Sequence, residues 1–268
     1  MPTLTLLYKH RALVRVLVGR ELSARYRGSA LGFLWSLLNP LLMLGVYTLV
    51  FQVLMPSRAA ATSPYALFLF SGLLPWNFFS ASLTDSADSL LSNGALLKKV
   101  LFPAEVLPTV SVLAQGVHFL LALPVLLGAL VLGTFGVFGA KVTLTLALVQ
   151  APFLLLFQGI LLLGLGYFLS ALTVHFRDVK DLLGTALAML FFATPILYDL
   201  STVKPDALAS LLAWNPLAIL FTAWRDAFFF GRFLPLLAWV KLAAISSVAF
   251  LLGATFFDRV RDTLPEAV

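Results

Sequence analysis

The stretch KHRALVRVLVGRELSARYRGSALGFLWSLLNPLLMLGVYTLVFQVLMP, residues 9–56, decides the fold. Its first part carries Lys9, Arg11, Arg15, Arg20, Arg25 and Arg27, with only Glu21 against them. From Ala30 to Met55 there is no charged residue. At about 1.5 Å per residue, an uncharged helix of that length crosses a hydrocarbon core of roughly 30 Å. Lys and Arg are retained on the cytoplasmic side of a span, so the two runs orient the chain with its N-terminus inside and its first crossing outward.

The rest of the chain agrees with a membrane reading. Of the 268 residues, 61% are hydrophobic and 11% charged, whereas a soluble domain carries about 25% charged residues. Too few polar side chains exist to cover a large soluble core. The apolar runs are continuous, which argues for helices over the alternating segments of a transmembrane barrel. The formal charge of +6 follows from the positive-inside bias, so no nucleic-acid partner is expected. There is no cysteine, which excludes disulfides, thiolate metal sites and a Cys nucleophile. Ala59-Ala60-Ala61 resembles a cleavage site, but the apolar run before it is far longer than a signal-peptide core, and a retained span is expected.

Taken in order, the chain reads as a single membrane domain over residues 1–268. Residues 1–29 form a cytoplasmic interface segment whose charges fall on more than one side of a helix. Six spans occupy residues 30–257, and residues 258–268 form a cytoplasmic tail. The spans are Leu31–Leu54 with a kink at Asn39-Pro40, Tyr65–Leu91 with a bend near Gly72 and Pro75, Val106–Leu132, Val142–Leu172, Leu182–Leu200 bent by Pro195, and Leu236–Phe257. Gly159, Gly164 and Gly166 offer the fourth span small surfaces for close helix approach.

The connections are more distinctive. Ser92–Leu107 and Thr173–Asp181 lie inside. The apolar residues of the first would be unusual in a free loop and suit a partner surface. Between spans five and six, Asp206–Ala213 reads as a short helix, and Asn215-Pro216 as an N-cap with proline at the first helical position of a second, ended by Gly231. That second helix is short and carries Arg225-Asp226, so a re-entrant pair on the outer side is expected. If Pro216–Gly231 crossed instead, there would be seven spans and an outside tail.

Chemistry is sparse. Asp85 and Asp88 lie one turn apart near the inner end of the second span, where a solvated or Arg-paired state is expected. Gln115 and His118 read as polar groups that bond between helices. His175 and Asp178 read as ordinary loop residues, with no nucleophile beside them. No phosphate-binding loop, H-E-x-x-H or nucleophile elbow occurs. What remains is aromatic: 24 Phe, 6 Tyr and 5 Trp. They fit an interfacial belt, or a path in which ring faces stack on sugars and let a polymer slide.

Five blocks carry a resemblance. The run Arg20-Glu21-Leu22-Ser23-Ala24-Arg25-Tyr26-Arg27-Gly28-Ser29-Ala30-Leu31-Gly32-Phe33-Leu34-Trp35-Ser36-Leu37-Leu38-Asn39-Pro40 resembles the opening of ABC type-2 permeases that export cell-surface polysaccharides and polyol phosphates. Gly72-Leu73-Leu74-Pro75-Trp76-Asn77-Phe78-Phe79, the Ser92–Pro103 loop, Phe176-Arg177-Asp178-Val179 and Trp214-Asn215-Pro216-Leu217 resemble later blocks of the same family, in order.

The resemblance implies a non-enzymatic half-transporter in a bacterial inner membrane. It would form a homodimer with two copies of an ABC ATPase and would move a glycan linked to undecaprenyl diphosphate, such as O-antigen, capsule or teichoic acid. ATP and Mg would belong to the ATPase, with no cofactor or metal in this chain. The coupling element would be Asn93, Gly94, Leu97, Lys98, Lys99, Phe102, Pro103 and Glu105. Arg11, Arg15, Arg20, Arg25 and Arg27 would meet the lipid pyrophosphate, though topology and ATPase docking explain them equally. Channel and gate aromatics would be Tyr65, Trp76, Phe78, Phe79, Phe191, Phe192, Tyr198, Trp224 and Phe228. A permease for a drug or small lipid, and a membrane enzyme of lipid-carrier metabolism, are the alternatives.

Overall fold

The structure is a computed structural model, described here for residues 9–55, 64–98 and 102–264. The described residues build an all-helical bundle with five helices long and apolar enough to cross a membrane. Helix α1 (Arg11–Tyr26) precedes a first span formed by a 3-10 turn (Gly32–Leu34), α2 (Trp35–Thr48) and a π-helical turn (Leu49–Leu54). Then follow α3 (Tyr65–Ser92), the short α4 (Gly94–Leu97), α5 (Val106–Thr134), a 3-10 turn (Leu146–Gln150) leading into α6 (Ala151–His175), and α7 (Val179–Ala193). Two short helices, α8 (Asp206–Ala213) and α9 (Pro216–Arg225), precede α10 (Leu236–Val260).

Helix α3 is the axis of the bundle. Its most apolar window is 78% buried, against 6% for the first span, and it packs on α5, α6, α7 and α9. The reason is visible in its sequence: the consecutive apolar side chains Leu67, Phe68, Leu69 and Phe70, about 100° apart around the helix, are all buried, and a helix apolar nearly all round belongs at the centre. The first span instead presents Leu41, Leu42, Val46, Leu49 and Val53 outward. Helices α6 and α10 cross in backbone contact: a Cβ on Gly253 would collide with the backbone of Gly164, and one on Gly164 with Ala249 and Phe250. Gly166 faces Ser86 of α3, whereas Gly159 meets nothing nearby, so two of the three glycines expected at close crossings are used there.

Several boundaries differ from the sequence reading. The fourth span is helical only from Leu146, and its helix runs on to His175, so the connection to α7 shrinks to residues 176–178. The expected fifth span Leu182–Leu200 is instead the 15-residue α7, which stops at Ala193. At about 1.5 Å per residue this covers roughly 22 Å. Pro195 ends the helix rather than bending it, because the residue before a proline is pushed to extended geometry and Thr194 adopts it (φ −104°, ψ 140°). The last helix continues past Phe257 to Val260, and Leu264 is buried beyond it.

Candidate functional site

The bundle has a basic end, bearing α1, Ser92, His175 and Val260, and a far end bearing Tyr65, Thr134 and residues 193–235. At the basic end, α1 lays Val14 and Leu17 on Val106 and Val110 of α5, with Leu13 and Val18 beside them. This narrow apolar stripe is a docking face that its scattered charges conceal in the sequence. Arg11, Arg15, Arg20, Arg25 and Arg27 stay exposed at the surface.

The two acids of α3 are both paired. Arg25 Nη2 lies 3.4 Å from Asp85 Oδ2, and Gln115 Nε2 donates to the same carboxylate from α5. One turn on, Asp88 pairs with Lys180 of α7. Both pairs are partly exposed, so each contributes modestly to stability, but together they tie α3 to three other helices at one level.

Two cavities flank these pairs. One, of about 520 Å³, lies between α2, α3 and α5 and is lined by Arg25, Ser36, Asn39, Asn77, Gln115 and His118 beside Trp35, Tyr47 and Phe78. The other, of about 360 Å³, is lined by Arg20, Glu21, Thr84, Asp85, Asp88, Ser92, Asn93 and Lys180.

The Asn93–Glu105 connection folds onto the basic end. Asn93 Nδ2 donates to Ser89 O at 2.9 Å, and Gly94 opens α4. Leu97 and Ala104 are buried in a cluster that includes Leu90, Tyr167, Phe257 and Leu264, and the partly buried Leu96 and Phe102 pack against it. Its apolar side chains therefore anchor the loop to its own chain, and the free apolar surface expected there is not formed by Leu97. Lys98 is exposed and Pro103 half-buried. Lys99 lies outside the described residues. Glu105 is buried, and among the described residues neither of its carboxylate oxygens has a hydrogen-bond partner.

At the far end the break after α7 exposes carbonyls that a continuous helix would satisfy. Side chains satisfy them instead. Asn215 Nδ2 reaches Ala193 O at 3.3 Å and Thr194 Oγ1 at 3.0 Å. Arg225 donates to Ile196 O at 2.6 Å and Tyr198 O at 2.8 Å, and Tyr65 Oη to Leu197 O at 2.6 Å. Asn215 also caps α9, accepting from Leu217 N. Arg225 is 2% exposed, and its guanidinium lies 3.8 Å from the Phe68 ring centroid. Irregular backbone at membrane depth is tolerated only with such internal partners. A Cβ at Gly72 would come within 3.3 Å of Arg225 Nη2 and 3.4 Å of Ile196 O, so this glycine leaves room for the clamp. The segment after α9 is pinned likewise: Gly231 takes a left-handed φ of 63°, and its carbonyl accepts from Thr145 Oγ1.

Most of the expected path aromatics are core residues. Trp76, Phe78, Phe79, Trp224 and Phe228 are buried. Trp76 packs on Phe79, Phe191 and Phe221, and Trp224 stacks on Phe228 while Phe78 stacks on Phe119. Trp224 Nε1 also donates to Gln158 Oε1 at 2.7 Å, and Gln158 in turn to Pro75 O. Phe192 is 65% exposed, and Tyr65, Phe191 and Tyr198 are partly exposed. Among the described residues no cluster of three metal-ligating side chains forms. His175 Nδ1 bonds Ala171 O within its own helix.

An all-helical bundle with five membrane-length helices, and with polar cavities on one flank of its axis, is the build of a multi-pass membrane protein. The family profile described as ABC-2 type transporter matches residues 12–229, and the chain belongs to that family. It is 40% identical over 264 residues to the O-antigen export system permease protein RfbA of Myxococcus xanthus, covering 98% of this chain and 97% of that one. The protein of the same name from Klebsiella pneumoniae is 31% identical over 95% of this chain and 94% of its own. The polysialic acid transport protein KpsM of Escherichia coli is 24% identical, with 94% of each chain covered.

Proposed function

We propose that this chain is the membrane-spanning subunit of an ATP-driven exporter of a cell-surface polysaccharide carried on undecaprenyl diphosphate, acting in a bacterial inner membrane. The observation that carries this reading is similarity over nearly the whole length to permeases named for O-antigen export, with a capsule transporter among the more distant relatives. Residues 1–268 act as one permease domain. The basic end is cytoplasmic, as the positive-inside rule favours, and both termini lie there. Helix α7 with residues 194–200 makes the fifth of six crossings, and α8 and α9 form a re-entrant pair at the outer face. The satisfied carbonyls of Ala193–Tyr198 and the exposed apolar Leu211 and Trp214 support that placement.

Two copies pair, and a separate ATPase that holds ATP and Mg docks beneath each. Its movement reaches the permease through Asn93, Gly94, Leu97, Lys98, Lys99, Phe102, Pro103 and Glu105. Because this loop is anchored on the ends of α3, α5, α6 and α10, a push on it would shift those helices together. Arg11, Arg15, Arg20 and Arg27 meet the lipid phosphates at the membrane surface. Arg25 is the weakest member of that set, since Asp85 already neutralises it. Phe191, Phe192 and Tyr198 line the outer exit.

The test is deletion and rescue in the native host. Loss of surface glycan, restored by the wild-type gene, together with co-purification of a neighbouring ATPase in equal copy number, is the expected result. A well-folded chain that retains no ATPase, in cells whose surface glycan is unchanged by the deletion, would remove this reading.

A further inference from the structure

Between Phe233 and Phe257 the chain carries a single charge, the ammonium of Lys241. It stands in the second turn of α10, near the far end of the bundle, where the positive-inside rule gives a lysine no task. Among the described residues no carboxylate pairs with it.

Two grooves meet beside it. The upper one, of about 620 Å³, lies between α8, α9 and α10, and its polar side chains are Ser210, Trp214 and Lys241. Lys and Trp side chains only donate hydrogen bonds, and a serine hydroxyl can donate. Among the described residues no acid lines this groove, so its charge and its donors both suit an anion. The lower groove, of about 560 Å³, lies between α6 and α10 and is lined by apolar side chains and glycines, among them Leu165, Phe168, Val248 and Leu252. Its bed forms where the two backbones touch, at Gly164 and Gly253. Ala244 and Ile245 line both grooves, so the two run on as one furrow.

The furrow has the length and polarity of one lipid. From Lys241 to Leu252 it follows α10 for roughly 16 Å at about 1.5 Å per residue, and half of a hydrocarbon core is about 15 Å. Donors therefore stand at headgroup depth above an apolar bed one leaflet long. The lysine stem lies along apolar surface while its ammonium reaches toward the interface, where Trp214, 85% exposed, is the interfacial aromatic. A lipid without net charge gives that ammonium no counter-charge, and a polyprenyl carrier has a chain far longer than the furrow.

We infer that this furrow binds an anionic phospholipid of the outer leaflet, its phosphate held by Lys241, Ser210 and Trp214 and one acyl chain laid between α6 and α10. The site rests on the membrane placement in the export reading and not on the exported substrate. Touching α8, α9 and α10 at once, the lipid fastens the two short helices to the last span.

The full-length chain, purified in detergent and stripped of lipid, is titrated with phosphatidylglycerol or with phosphatidylcholine of the same acyl chains. Native mass spectrometry counts the lipid bound to each chain. One phosphatidylglycerol per chain is expected, held about fivefold more tightly than phosphatidylcholine, the factor that one lysine beside an anionic lipid supplies. Lys241→Gln should erase that preference and Lys241→Arg should keep it. Lys241 is exposed, so neither change threatens the fold. Ala244→Phe, which fills the furrow where the grooves join, should weaken binding of both lipids.

Equal binding of the two lipids by the wild-type chain, or a preference that survives Lys241→Gln, overturns the proposal. Tighter binding of undecaprenyl phosphate than of phosphatidylglycerol gives the furrow to the carrier and overturns it too. The chain has no cysteine, so Val248→Cys can form a disulfide only between two copies. Efficient crosslinking in membranes by an added oxidant would mean that a second copy covers the furrow, which also overturns it. These readouts need neither ATPase nor glycan, so failure here is distinct from failure of the deletion and rescue experiment.

Discussion

Arg225 donates to two carbonyls that lie beyond the end of α7 and have no helical partner. Removing one partner of a buried hydrogen bond costs about 1–3 kcal/mol for each group left unpaired. Arg225→Leu strands both carbonyls and is expected to lower the apparent melting temperature of the purified protein clearly. Arg225→Lys, which keeps a donor but loses the fork, should fall between the two. Equal melting temperatures for all three would mean that the clamp contributes nothing. Gly253 is constrained differently: any side chain there meets the backbone of Gly164 rather than a movable group. Overpacking of this kind costs about 1–3 kcal/mol or more, so Gly253→Val should reduce folded yield, whereas Gly159→Ala, in open space, should not. Glycine content is legible in the sequence; which glycine sits at a crossing is not, because that depends on the neighbouring helix.

At the scale of elements, the acids of α3 hold α1 on one side and α7 on the other. Reversing the second pair, Asp88→Lys with Lys180→Asp, is expected to restore surface glycan that either single change reduces, because only matched signs tie the helices. Rescue no better than the singles would show that position rather than charge matters. The start of α9 was legible from Asn215-Pro216 and the stop from Gly231, since caps and stops are local signals, but the change to a π-helical turn over Asp226–Phe230 was not. The docking stripe of α1 was not: Leu13, Val14, Leu17 and Val18 stand among arginines, and only the presence of Val106 and Val110 gives the stripe an inward side.

For the whole molecule, six crossings and seven differ in where α10 ends. A reporter active only outside the cytoplasm, fused after Gly139, is expected to be active. Fusions after Asn93 and after Asp258 should be inactive. Activity after Asp258 would mean that residues 216–231 cross, and that both the re-entrant reading and the cytoplasmic tail are wrong. The bundle also reassigns the aromatics. Composition fitted an interfacial belt or a path lined with rings, whereas Trp76 packs on Phe79, Phe79 on Phe221 and Trp224 on Phe228 inside a single chain. The open face of the axis belongs to Asn77, Thr84 and Ser92.

By itself the sequence determined the membrane class, the positions of most spans, the two short helices before the last one and the likeness to ABC permeases. Each of these follows from local or one-dimensional signals: apolar length, charge asymmetry, caps and ordered motif blocks. Only the tertiary structure decided which span is central, which acid meets which base, and which side of α3 stays open. Those depend on what packs against a residue from elsewhere in the chain, and a buried aromatic and a path-lining one are the same letter until the neighbouring helices are in place.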